Sequence, residues 1–128
     1  MTTLNKTFLI IGALCLMSAT MLGAYGFHGL ADSLTDADRL SWRWAVQLQI
    51  THALGLILVT LLSLHIGPSR LLTIARGLFV FGIVVFCGGV YAEKLGAPAA
   101  IGGFAPIGGS GFMLAWALVA VAVMFRKD

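Results

Sequence analysis

Five side chains could do chemistry in an otherwise apolar chain: His28, Gln49, His52, Tyr91 and Glu93. Imidazole titrates near neutral pH and is a common metal ligand. Gln49 and His52 are three residues apart, so a helix carries them on one face. Tyr91 and Glu93 add a hydroxyl and a carboxylate, and Asp32 a second acid. Three chemistries fit these types. The first is an interhelical hydrogen-bond network that fixes a bundle. The second is a haem iron or divalent metal held by His28 and His52, alone or with a carboxylate. The third is a path for a proton, ion or small solute in which His52 titrates.

Other signals of reactivity are missing. The sequence has no Cys-x-x-Cys-His, no His-Glu-x-x-His and no phosphate-binding glycine loop. Ser18, Ser63 and Ser110 have no histidine and acid at nucleophile-like spacing. No catalytic residue is assigned, no cofactor is expected, and the chain is expected not to be an enzyme. His65 closes the second apolar segment, where a cation suits a helix C-terminus.

The elements that position these residues follow from charge. Runs 7–31, 44–69, 77–92 and 95–125 carry no acid, lysine or arginine. A hydrocarbon core about 30 Å thick takes roughly 20 helical residues. The chain has 128 residues, 59% hydrophobic and 10% charged, with a mean hydropathy of +0.99. Soluble domains carry about 25% charged residues. Four helices are therefore predicted at about 6–27, 36–66, 71–91 and 106–125. They form an all-α, four-helix transmembrane bundle that uses the whole chain, 1–128, as one integral membrane domain. Lys6 followed by an apolar run looks like a signal peptide. The run is too long and lacks a clean cleavage site, so it is expected to stay as a helix.

Local signals set the ends. Gly26-Phe27-His28-Gly29 should stop the first helix through a left-handed glycine. Thr35 is a predicted N-cap with Asp36 and Asp38 in the first turn. Gly67-Pro68-Ser69 should break the second helix. Pro106 suits a first helical turn. Residues 92–105 form a Gly/Ala/Pro linker, interfacial or re-entrant. Trp42, Arg43 and Trp44 are predicted interface anchors. Arg76 should snorkel to the headgroups, and the Trp116 N–H should point at a partner. His52 would lie about 12 Å below Trp44, with His28 nearer the surface, which counts against a bis-histidine haem.

Small residues should mark the packing faces: Gly12, Ala19, Gly23 and Gly26 on the first helix, Gly55 on the second, Gly82 and Gly89 on the third, Gly108 and Gly111 on the fourth. These faces exceed what one compact bundle must satisfy and point to self-association or a partner subunit. Cys15 and Cys87 lie inside apolar runs and read as packing residues. The net charge of +3 is spread over segment ends, which argues against nucleic acid. Lys6, Arg70, Arg76, Arg126 and Lys127 fall on one side. Arg39, Arg43 and Lys94 share the other with most of the acids. The positive-inside rule then puts both termini in the cytoplasm.

Four segments in order carry a resemblance. They are Gly23-Ala24-Tyr25-Gly26-Phe27-His28-Gly29-Leu30, Trp44 through Leu54 with Gln49 and His52, Phe86-Cys87-Gly88-Gly89-Val90-Tyr91, and Pro106-Ile107-Gly108-Gly109. Together the chain resembles the YgdD-like family of small bacterial inner-membrane proteins, family four hundred and twenty-three among the domains of unknown function. The resemblance implies a four-helix protein of the bacterial inner membrane without an established activity. It marks His28, Gln49, His52, Tyr91 and Pro106 as signature positions. Phe27, Leu48, Cys87 and Ala105 depart from the pattern, and Leu48 and Cys87 remove hydroxyls. The expected role is a structural or accessory membrane subunit or homo-oligomer, meeting lipid, other membrane subunits or itself. The alternatives are a channel or transporter, and a haem- or metal-binding membrane protein.

Overall fold

The computed structural model describes residues 1–126; Lys127, used in the charge count, lies outside them. Four helical spans are long and apolar enough to cross a membrane. We number them α1 (Thr3–His28), α2 (Asp36–Ile66), α3 (Arg70–Lys94) and α4 (Ala105–Met124), the last preceded by a short turn, Ala99–Gly102. Among the described residues there is no strand. The chain is a four-helix transmembrane bundle.

The helix ends follow local chemistry. The Thr35 hydroxyl accepts from the Asp38 N–H at 3.2 Å, as the sequence predicts for an N-cap. Gly67 ends α2 at φ +87°, a conformation that a side chain resists. Gly29 behaves differently from expectation. It stays right-handed at φ −73°, and its N–H bonds the Tyr25 carbonyl, so α1 winds into the turn without a left-handed stop. Residues 92–105 are less irregular than the linker predicted. Helix α3 runs on to Lys94, and Ala99–Gly102 folds back on its last turns, where the Ile101 carbonyl faces Gly89.

Helices α1 and α2 pack antiparallel along their length, and so do α3 and α4; α2 also packs on α3. Gly12 lies beside Ile57 and Ala53, Cys15 beside Gln49, and Leu22 beside Trp42, in falling order along one helix and rising along the other. Thus α2 and α3 form the middle of the bundle. The outer helix α1 buries only Gly12 and Ala19. The glycine faces are largely taken up inside the chain: Gly12 by Ile57, Gly26 by Trp42, Gly55 by Trp116, and Gly82 by Phe112.

A π-helical turn at Ile83–Cys87 interrupts α3. The buried residues Phe79, Ile83, Cys87 and Tyr91 recur every four positions. On a straight α-helix each such step drifts by about 40°, or about 120° over three. The wider turn absorbs that drift and keeps all four facing the core.

Three polar expectations are corrected. Trp42 is not a lipid-facing anchor. It is 2% exposed, its indole donates to the Leu22 carbonyl at 2.9 Å, and its ring lies 4.8 Å from Tyr91. Trp44 and Arg43 are exposed as expected. Arg76 does not snorkel. It is 2% exposed and bonds the Leu72 carbonyl, the Thr73 hydroxyl and the Asn5 amide oxygen, with Phe8 under its guanidinium. Protein partners within reach replace the headgroup phosphates, so the side chain stays in the protein. The Trp116 N–H has no partner among the described residues; its ring packs edge-on to Phe79 at 4.8 Å.

The Asn5–Arg76 bond ties the start of α1 to α3. Asn5→Leu is expected to cost about 1.5 kcal/mol, because a hydrogen bond to a charged group is lost in a buried place. The check is the unfolding midpoint in mild detergent, where Thr20→Leu on the exposed face of α1 should leave it unchanged.

Candidate polar site at the bundle centre

Gln49 is the hub. It sits on the inner face of α2 and is 4% exposed. Its amide nitrogen donates to the Cys15 carbonyl and the Ser18 hydroxyl of α1, both at 2.9 Å. Its amide oxygen accepts from the Tyr91 hydroxyl of α3 at 2.8 Å. One side chain therefore joins three helices. Ser18 in turn donates to the Cys15 carbonyl at 3.1 Å, so the cluster closes on itself.

His52 lies one turn further along α2, in an aromatic box. Its ring stacks on Phe112 of α4 at 3.6 Å and 8°, with Phe79 at 5.8 Å and Trp116 at 6.2 Å. Nδ1 is 2.7 Å from the Leu48 carbonyl. A carbonyl only accepts, so Nδ1 carries a hydrogen. Gln49 and His52 share a helix face, yet they are held differently: Gln49 hydrogen-bonds α1 and α3, and His52 stacks on α4 beside Phe79 of α3.

The other candidates stand apart. His28 is exposed at the end of α1, edge-on to Phe27 at 4.9 Å. It is ten residues, or about 15 Å, along α1 from the level of Ser18. Glu93 is at the rim of the bundle. There Lys94 bridges to Asp38 of α2 at 2.9 Å and to Glu93 at 3.3 Å. This pairing is partly exposed, so solvent screens it. His28 and His52 are thus not brought together, and among the described residues no three histidines, cysteines or acids gather as a metal site.

Sequence reasoning grouped Tyr91 with Gln49 but missed the α1 partners of Gln49, the Ser18 hydroxyl and the Cys15 carbonyl. Ser18 lies on the same side of α1 as Cys15 and Ala19, which was the available signal. It also missed the Asn5–Arg76 bond, because the two lie 71 positions apart. The arrangement can hold helices in register. Every buried side-chain nitrogen or oxygen among the described residues has a hydrogen-bond partner.

The bundle and its closed polar centre define a small integral membrane protein that sits in a lipid bilayer. The model of a family described as "Protein of unknown function (DUF423)" matches residues 22–109, and the chain belongs to that family. It is similar to the UPF0382 membrane protein YwdK of Bacillus subtilis, 34% identical over 93% of this chain and 97% of that protein. A UPF0382 membrane protein of Staphylococcus epidermidis is 38% identical over 93% of this chain and 96% of its own length. One of Staphylococcus haemolyticus is 36% identical over 91% and 94%. No solved structure matches the chain.

Proposed function

We propose that this protein is a non-enzymatic structural or accessory subunit of the bacterial inner membrane, with both termini in the cytoplasm. The observation that carries the reading is the closed polar centre. Gln49, Ser18 and Tyr91 satisfy one another, which suits a register lock. The connections 29–35 and 67–69 are short, so a partner is met within the membrane or at its surface. Helix α1, with two buried residues, offers the least occupied face. The orientation rests on Lys6, Arg70 and Arg126 lying at one end of the bundle.

The test is native mass spectrometry of protein extracted in mild detergent, with an absorption spectrum of the same sample. The expected result is a colourless assembly, either with a second polypeptide or of several copies. Monodisperse monomers that capture no partner would overturn the subunit reading. A Soret band or stoichiometric metal lost on His52→Ala would overturn the cofactor-free part. Solute or proton flux in liposomes, abolished by His52→Ala, would replace the reading with a channel.

A further inference from the structure

A groove of about 980 Å³ lies between the end of α1, the 29–35 turn and the start of α2. Its size is at the upper end of the range of about 300–1,000 Å³ for small-molecule sites. Its polarity changes along its length. The upper part is lined by Asp36, Arg39 and Arg43, and the lower part by Gly23, Val46 and Ile50. From Arg39 to Ile50 the helix rises about 16 Å. The charged part stands beside exposed Trp44, a residue type that settles at headgroup level. Charge at the headgroups and apolar walls below them is the profile of a membrane lipid.

The arginines select among lipids. Arg39 and Arg43 are four residues apart, which places their Cβ atoms about 5–6 Å from each other on one helix face. Both can then reach one phosphodiester. Arg39 donates to the Ala31 carbonyl, which fixes it at the rim and leaves other N–H groups of its fork. Arg43 has no ion-pair partner among the described residues. Asp36 offsets one of the two charges, so the rim keeps a net positive charge. Trp42 spends its N–H on Leu22 and serves as wall. On the α1 side, Gly23 lies against Val46, and Phe27, 78% exposed, forms the outer lip.

We propose that the groove binds one anionic phospholipid, with its phosphate between Arg39 and Arg43 and an acyl chain along Gly23, Val46 and Ile50. A soluble anion would leave the apolar walls unused, and a neutral lipid would leave the arginines unused. The bound lipid would also cover the seam where α1 meets α2.

The test is native mass spectrometry of the full chain with phosphatidylglycerol or phosphatidylcholine of equal acyl length. Phosphatidylglycerol is expected to be retained over phosphatidylcholine by roughly tenfold, as two arginines near an anionic headgroup allow. Arg43→Gln should reduce that preference about fivefold, while Arg70→Gln at the opposite end should leave it unchanged. Ile50→Trp, which narrows the apolar half, should reduce retention of both lipids. Equal retention of the two lipids would overturn the proposal. So would a preference that survives Arg43→Gln, or saturable binding of glycerol phosphate with no lipid retained.

Discussion

Gly108→Leu is expected to separate α3 from α4 and to cost about 3 kcal/mol or more, the upper range for overpacking. A Cβ at Gly108 would lie 2.5 Å from the Phe86 backbone nitrogen and 2.9 Å from its Cβ. Neither atom is the end of a flexible side chain, so a helix must shift. The π turn adds to this, because Phe86 belongs to it and its backbone has adopted the one geometry that keeps Cys87 and Tyr91 inward. A shift there would loosen the Phe112–His52 stack as well. Gly77→Leu is the control. Gly77 is exposed with nothing within 4 Å, and in a helix leucine is favoured over glycine by up to about 1 kcal/mol. Thermal midpoints in detergent should therefore fall steeply for Gly108→Leu and hold or rise for Gly77→Leu. Equal effects would mean that close helix approach at Gly108 does not stabilise the bundle.

Gln49→Leu is expected to cost about 3 kcal/mol. Three interhelical bonds are lost, at about 0.6 kcal/mol each in a membrane setting, and the buried Tyr91 hydroxyl is orphaned for about 1 kcal/mol more. Tyr91→Phe alone should cost about 1 kcal/mol, since it orphans only the Gln49 oxygen. The double variant should cost less than the two singles added, because the second change removes a group already without a partner. Additive costs would show that the two side chains do not act as a unit.

The polar residues of the centre were legible as types and depths, while their pairings were not. Gln49 and His52 could be placed on one face of α2 by spacing alone. Their separation into a hydrogen-bonded hub and an aromatic box depends on which helix stands opposite each, and that is decided by packing. His28 and Glu93 share the polar character of the cluster and lie outside it, because chain direction carries α1 and α3 past the level of Gln49 before they end.

The sequence by itself determined the solvent, the number of spans and most helix ends. These depend on local quantities: apolar length against bilayer thickness, a capping hydroxyl at Thr35, a positive φ that only Gly67 accepts readily. Tertiary structure alone decided the rest. It buried Trp42 and Arg76 by supplying the Leu22 carbonyl and Asn5, partners distant in the chain. It wound a π turn into α3 because the inward residues recur every four positions and a straight helix cannot keep them on one side. It opened the arginine-rimmed groove where α1 and α2 diverge at the turn between them. In each case the deciding energy is a contact between elements, and no local pattern encodes which of them will meet.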